Sequence, residues 1–127
     1  MQLNLEHPDH EFFLRAADGD AVRVNERQLT ASFVLAPDTL IQGWPVREVK
    51  AKGPDDLDTV LALDPEVILL GSGATQAFPP AAVLAHCLRR GVGLETMTNA
   101  AAARTFNVLA GEGRRVVVAF VLPGQSG

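Results

Sequence analysis

The fold of this chain is decided by the stretch Val67-Ile68-Leu69-Leu70-Gly71-Ser72-Gly73. Its four consecutive apolar residues are closed off by glycines and are too few for a free-standing helix. They are typical of a strand that is buried on both faces. The stretch therefore predicts an interior strand of a sheet, around which the other elements are arranged.

The sequence after this strand alternates between helix and strand patterns. Apolar residues at helical spacing predict a helix over residues 80–90, and Cys87 on its apolar face is interpreted as a core residue rather than a nucleophile. Residues 92–97 predict a short strand. Thr98 is a suitable N-cap for a helix over residues 99–110, and residues 115–122 predict the last strand. The result is a β-α-β-α-β array.

The sequence before this strand predicts an antiparallel β unit and one more helix. Residues 12–16 and 21–24 flank Asp18-Gly19, a strong hairpin signal, and residues 28–36 predict a third strand with one buried face. Residues 54–63 predict a helix whose early aspartates form a solvated first turn. Trp44 is interpreted as part of the core rather than as a ligand platform.

These elements predict a single compact α/β domain over residues 1–127, with a mixed β-sheet, about three helices and an added N-terminal β-hairpin. Residues 1–9 are expected to form a loose arm, and residues 123–127 a frayed tail.

Composition limits the function classes. The 11 basic and 15 acidic side chains give a net charge of −4, which disfavours nucleic acid as a partner. The single cysteine excludes an internal disulfide, and no Cys/His cluster has the spacing of a zinc site, so we expect no metal and no cofactor. No targeting segment is evident, and the longest apolar run, residues 116–122, is far below the roughly 20 residues that span a bilayer. We therefore expect a cytoplasmic protein without a transmembrane segment.

A candidate pocket lies where two predicted strands end. Ligands of open α/β sheets gather at the carboxyl ends of strands, beside helix N-termini that favour an anion. Here these places hold Gly71, Ser72 and Gly73 and, after the next strand, Thr98 and Asn99. A small anion could bind there if the two strands are neighbours. The alternative is a tight strand-to-loop exit that uses the conformational freedom of glycine.

The same stretch lacks the features of known catalytic motifs. It has no lysine of a phosphate-binding P-loop, no trailing glycines of a dinucleotide fingerprint and no histidine placed to activate Ser72. We therefore assign no catalytic residues.

Two charged residues are placed unusually. Glu95 lies in an otherwise apolar short strand, and Arg104 lies among alanines on a helix that must cover the sheet. A buried charge needs a partner, because burying it alone costs several kcal/mol. We therefore expect Glu95 and Arg104 to bond each other or nearby backbone, with Asn107 on the same side of the helix. Bracing and substrate binding are both open roles for this cluster.

Three segments of the chain resemble a known family. They are residues 63–73, residues 91–97 and residues 98–116, and the most specific part is Arg104-Thr105-Phe106-Asn107. Together they are similar to a family of small α/β domains of unknown function, which includes mitochondrial complex I assembly factor 3 and the adipogenesis-associated Mth938-domain protein. Phe106 stands where relatives often have tyrosine, and Asn99 where many have aspartate or glycine. The resemblance implies a mixed sheet with an attached hairpin and no established reaction, and its mitochondrial members act by binding other assembly proteins.

Two functional hypotheses follow. The first is a non-enzymatic protein-binding or assembly module with an unknown protein partner. The alternative is a protein that binds a small anion or metabolite, or an enzyme, that uses the pocket around Ser72, Thr98 and Asn99.

Overall fold

The computed structural model describes residues 12–46, 48–49 and 53–124, which form two sheets and three helices. A small antiparallel sheet contains, in spatial order, β1 (Leu14–Ala17), β2 (Val22–Val24) and β3 (Arg27–Leu29). The main sheet contains β4 (Ala31–Ala36), β5 (Thr39–Gln42), β6 (Val67–Gly71), β7 (Gly93–Met97) and β8 (Val116–Pro123). A 3-10 turn (Pro54–Leu57) continues into α1 (Asp58–Leu61), and α2 (Ala81–Arg89) and α3 (Asn99–Gly111) follow. The predicted α/β architecture with a mixed sheet and an N-terminal hairpin is confirmed.

The decisive strand, β6, is an interior strand as predicted. The five-stranded sheet has the order β5-β4-β8-β6-β7, and β6 is parallel to both of its neighbours. The middle position belongs to β8, which is parallel to β6 and antiparallel to β4, so the sheet is mixed. Successive side chains of β6 enter different cores: Ile68 and Leu70 lie on one face of the sheet and Leu69 on the other. Both faces are covered, which explains the uninterrupted apolar run.

Each face of the main sheet has its own core. On one face α1 and α2 contribute Val60, Val83 and Cys87, and Trp44 packs with them. The Trp44 indole Nε1 donates a hydrogen bond to the Asp56 backbone oxygen at 2.9 Å, which satisfies its only polar group. On the other face α3 and the small sheet enclose a core that contains Phe106. Trp44 and Cys87 are buried, as the sequence predicts.

The predicted third strand, residues 28–36, is wrong as a single element. Its first part is β3 of the small sheet, the chain leaves that sheet at the exposed Thr30, and the second part is β4 of the main sheet. In β4 the side chains of Phe33, Val34 and Leu35 are all buried, because both faces of the main sheet are covered. The prediction of one buried face therefore fails here. The sequence patterns did not predict strand β5, which follows the Pro37-Asp38 turn.

The other boundaries agree closely with the sequence. The Thr98 side chain caps α3 by accepting a hydrogen bond from the Ala101 backbone nitrogen at 3.2 Å, as expected. The predicted tail begins too early, because Pro123 is the last residue of β8 and lies opposite Ala31. The predicted arm, residues 1–9, lies outside the described residues.

Candidate functional site

The ends of β6 and β7 lie side by side, as the pocket hypothesis requires. The Ser72 backbone nitrogen donates to the Met97 oxygen at 2.9 Å, and the Asn99 nitrogen donates to the Gly73 oxygen at 2.9 Å. These two bonds join the exits of the two strands directly. The predicted neighbourhood of Gly71, Ser72, Gly73, Thr98 and Asn99 is therefore present in the structure.

The side chain of Asn99 fills the space between these exits. It is fully buried, and its Oδ1 accepts a hydrogen bond from the Gly73 nitrogen at 3.1 Å. Its Nδ2 donates to the Asp18 oxygen at 3.0 Å and lies 3.5 Å from the Val121 oxygen. Asp18 belongs to the β1–β2 turn, so this one amide ties the small sheet to the end of the main sheet. Each polar atom of the Asn99 side chain is used inside the protein.

The hydroxyls at this junction are also engaged with backbone. Ser72 Oγ lies 2.9 Å from the Thr75 oxygen and 3.2 Å from the Met97 oxygen, and it accepts a hydrogen bond from the Ala77 nitrogen at 3.0 Å. The Thr98 hydroxyl caps α3. This geometry is that of a braced strand exit, and binding of an anion at these residues stays a prediction.

The predicted burial and pairing of Glu95 with Arg104 is wrong. Both residues are exposed, and no ion pair joins them in the part of the chain that the structure describes. Arg104 points away from the sheet because Ala103 and Phe106 occupy the inward face of α3. Asn107, the third member of the predicted cluster, bonds instead to the backbone of Leu14 in β1. The three side chains do not form one site.

Glu95 is explained by the position of β7 at the edge of the main sheet. Among the described residues β7 pairs with β6 alone. Proteins commonly place charged side chains on edge strands, because a charge discourages unwanted pairing with other chains. Glu95 fits this role, which the sequence could not assign without the strand order.

The outer edge of β7 carries backbone groups that point away from β6. The Met97 oxygen points inward, toward the Ser72 nitrogen, so alternation along the strand directs the backbone of Leu94 and Thr96 outward. The Gln76 side chain confirms this direction for Thr96, because its Nε2 donates to the Thr96 oxygen at 2.7 Å from outside the sheet. The N–H and C=O of Leu94 and the N–H of Thr96 therefore face away from β6.

Exposed apolar and basic side chains lie near the start of this edge. Leu88, on the last turn of α2, is 67% exposed, and Arg89 and Arg90 beside it are also exposed. The Val92 nitrogen donates to the Cys87 oxygen at 3.0 Å, which fixes the end of α2 against the segment that leads into β7. An exposed apolar side chain and two exposed positive charges thus come shortly before this edge in the sequence.

The contact between His86 and Asp58 is among those that the sequence does not predict. His86 Nε2 lies 3.0 Å from Asp58 Oδ1, and this contact links α2 to α1 across the surface. The sequence places Asp58 only in the solvated first turn of its helix, and the 28-residue separation gives no local signal for the pairing. No group of three or more His, Cys, Asp or Glu side chains in the described ranges could hold a metal ion.

Comparison with known proteins identifies the family. A family model described as "Protein of unknown function (DUF498/DUF598)" matches residues 14–121. The chain belongs to the DUF498 family. The match extends from β1 into β8, and therefore includes both sheets.

Solved structures of similar proteins share this fold. The chain is 57% identical to XCC1710 of Xanthomonas campestris, with a TM-score of 0.84 and coverage of 100% of this chain and 96% of the other. It is 29% identical to a protein of Bordetella pertussis that is described as a Mth938-like domain, with a TM-score of 0.79 and coverage of 99% and 95%. The Mth938-like part of the predicted resemblance is therefore supported.

Two curated relatives match a shorter part of the chain. One, named "13 kDa major membrane protein" of Francisella tularensis, is 31% identical over 56% of this chain and 58% of its own length. An uncharacterised protein of Rhodobacter capsulatus is 44% identical over 57% of this chain and 60% of its own length. The chain thus spans less than two thirds of these relatives. No helix within the described residues is long and apolar enough to cross a bilayer.

Proposed function

We propose that this DUF498 protein is a non-enzymatic protein-binding or assembly module, and that its partner adds an extended strand to the outer edge of β7. The observation that carries the proposal is the outward direction of the Leu94 and Thr96 backbone groups. The resemblance to the family that includes complex I assembly factor 3, whose mitochondrial members bind other assembly proteins, supports the same class of function.

Strand addition uses the free edge of a sheet as a template. Main-chain hydrogen bonds supply affinity, and the side chains beside the edge select the sequence of the partner. Arg89 and Arg90 near the start of β7 favour a partner segment with an acidic residue at that end, because opposite charges steer and align the two chains. The exposed Leu88 offers an apolar contact beside them.

The test is a proline at the edge. The variant Leu94→Pro removes an N–H that points away from β6, so the hydrogen bonds between β7 and β6 are kept. Proline is tolerated at such positions of edge strands. The matched control Leu94→Ala removes most of the side chain and keeps the N–H. Tagged wild type and both variants are used in parallel to capture proteins from the source cells, with quantification by mass spectrometry.

We expect a specific partner that wild type and Leu94→Ala recover and that Leu94→Pro recovers roughly tenfold less, since it loses a main-chain bond and gains a clash. Thermal unfolding checks that Leu94→Pro is folded. Equal recovery by all three proteins would place the interface elsewhere, and repeated recovery of no partner by wild type would count against a binding module.

The proposed compartment is the cytoplasm, with the single buried Cys87 consistent with a reducing environment. Because a relative from Francisella tularensis is named a membrane protein, fractionation of the source cells is the direct test. Recovery of the protein in the membrane fraction after a high-salt wash would overturn this assignment.

A further inference from the structure

A cleft opens at the end of the main sheet opposite to the Ser72–Asn99 junction, where β4 and β8 separate. The cross-strand pairing of these two strands stops at Leu35 and Val118. Beyond this pair β4 turns away at Pro37, which has no N–H with which to continue the ladder. β8 begins two residues earlier, at Val116, where it pairs with β6. The separation leaves a cleft of about 330 Å³.

The floor of the cleft is apolar. Ala36 and Val117 come from the two separating strands, Leu63 comes from the segment after α1, and Ala110 comes from the last turn of α3. If a water-sized group takes about 30 Å³, the cleft has room for roughly ten non-hydrogen atoms. This volume is at the lower end of the range for small-molecule sites.

The rim of the cleft is charged, and two consecutive arginines, Arg114 and Arg115, line it. Arg115 Nε donates to the Asp64 oxygen at 3.0 Å, and Arg114 Nε lies 3.3 Å from Glu66 Oε1. Both contacts use Nε, and an arginine has four more N–H donors on its terminal nitrogens. Glu66 is the only carboxylate that pairs with either arginine within the described ranges.

One acidic side chain, Asp38, also lines the cleft. Its Oδ1 accepts a hydrogen bond from the Thr39 hydroxyl at 3.0 Å, and it forms no ion pair with Arg114 or Arg115 in the described part of the chain. Asp38 therefore opposes the binding of a negative charge and sets a limit on its affinity. A monovalent anion suits this balance better than a phosphate dianion.

We propose that this cleft binds a small organic carboxylate with an apolar tail. The guanidinium groups of Arg114 and Arg115 hold the carboxylate, because planar guanidinium matches carboxylate geometry, and the apolar floor covers the tail. This inference is independent of the strand-addition site, which lies at the β7 edge, whereas the cleft lies between β4 and β8.

Hexanoate is the probe, and two compounds each lack one of its recognised parts. Acetate keeps the carboxylate without the tail, and hexanamide keeps the tail without the charge. Binding is followed by NMR titration of the backbone amides of the uniformly labelled protein. We expect saturable shifts at Ala110, Gly113 and Val117 with hexanoate, and weaker binding of both control compounds. Binding of hexanamide as tight as that of hexanoate, or no saturable shift with hexanoate, would overturn the proposal.

Two variants test which charged side chains of the cleft act on the bound carboxylate, and a third serves as a control. Arg115→Gln is expected to bind hexanoate roughly tenfold more weakly, because it loses charge-assisted hydrogen bonds. The matched control Arg104→Gln changes an exposed arginine outside the cleft and should leave the affinity unchanged. Asp38→Asn keeps an oxygen for the Thr39 hydroxyl and removes the opposing charge, so it should bind hexanoate more tightly. An affinity unaffected by Arg115→Gln, or lowered by Asp38→Asn, would contradict the assignment.

Discussion

The side-chain amide of Asn107 forms two hydrogen bonds with the backbone of a single residue, Leu14. Asn107 Oδ1 accepts from the Leu14 nitrogen at 3.0 Å, and Asn107 Nδ2 donates to the Leu14 oxygen at 2.7 Å. The pair joins α3 to β1 across 93 residues of sequence. Both polar atoms of the amide are therefore bonded to the backbone of β1, and they anchor the small sheet to α3.

We expect Asn107→Leu to lower the free energy of unfolding by about 1–3 kcal/mol, because it leaves both backbone groups of Leu14 without their partner. The control is Val108→Ala at the next position, which is 59% exposed and should change stability by less than about 0.5 kcal/mol. Urea unfolding of the three proteins measures the difference. Equal losses in both variants would show that the amide does not anchor β1.

Removing the buried side-chain amide of Asn99 should lower the free energy of unfolding more than removing an exposed amide that makes a similar contact. Asn99→Ala removes the acceptor for the Gly73 nitrogen and the donor to the Asp18 oxygen, and we expect a loss of about 3 kcal/mol. Gln76→Ala removes an amide that also donates to a backbone oxygen, but from an exposed position, and should cost less than about 0.5 kcal/mol. Chemical unfolding provides both values. Similar losses for the two variants would contradict the role of burial.

Gly71 is required by close approach rather than by its backbone angles. A Cβ at this position would lie 2.5 Å from Asn99 Oδ1 and 2.8 Å from a ring carbon of Phe120. Gly71→Ala should therefore destabilise the protein by about 1–3 kcal/mol through overpacking. Gly93→Ala, in the neighbouring strand, meets nothing within 4 Å and is expected to be neutral or slightly stabilising. Thermal unfolding distinguishes the two, and a neutral Gly71→Ala would show that the junction can relax.

Local patterns predicted the elements whose identity depends on nearby residues. The apolar run of β6, the Asp-Gly turn and the Thr98 cap are local signals, and each was confirmed. The division of residues 28–36 into β3 and β4 was missed, because nothing in that run marks where the chain changes sheets. That change depends on pairing with β2 on one side and β8 on the other, which is long-range information.

The sequence predicted that the ends of β6 and β7 lie together. It did not predict that the Asn99 side chain fills the space between them. Neighbouring strand exits followed from parallel pairing of β6 and β7, which the β-α-β pattern implies. The sequence could not show that Asn99 points into the junction, because its partner Asp18 lies 81 residues away. The burial of Glu95 was predicted wrongly for a similar reason. A mostly apolar strand is expected to be buried, and only the strand order shows that β7 lies at the edge of the sheet.

The thiol of Cys87 should react only when the protein unfolds. Its side chain is fully enclosed in the core, and burial raises the pKa of the thiol, so the reactive thiolate is disfavoured. We expect no fast reaction with a disulfide reagent under native conditions and complete reaction in denaturant. The control Leu88→Cys, made in a Cys87→Ala background, places a thiol at an exposed neighbouring position and should react rapidly. Fast reaction of native Cys87 would contradict its assignment as a core residue.

The stability of the protein should fall at acid pH, in part because the Glu66 carboxylate becomes protonated. Its carboxylate accepts a hydrogen bond from the Arg115 nitrogen at 2.9 Å, and this bond, with Arg114 nearby, lowers the pKa of Glu66 in the folded state. The stabilisation is therefore present above the unfolded-state pKa and is lost as pH falls through the folded-state pKa. Glu66→Gln keeps an oxygen for the Arg115 nitrogen and removes only the charge. It should therefore be less stable than wild type at neutral pH, and the difference should shrink as the pH is lowered into the acid range. Asp18→Asn should behave in the same way, because backbone N–H groups of Asp20 and Ala21 lower the pKa of Asp18. Urea unfolding across this pH range measures the gap, and a gap that stays constant would refute the prediction.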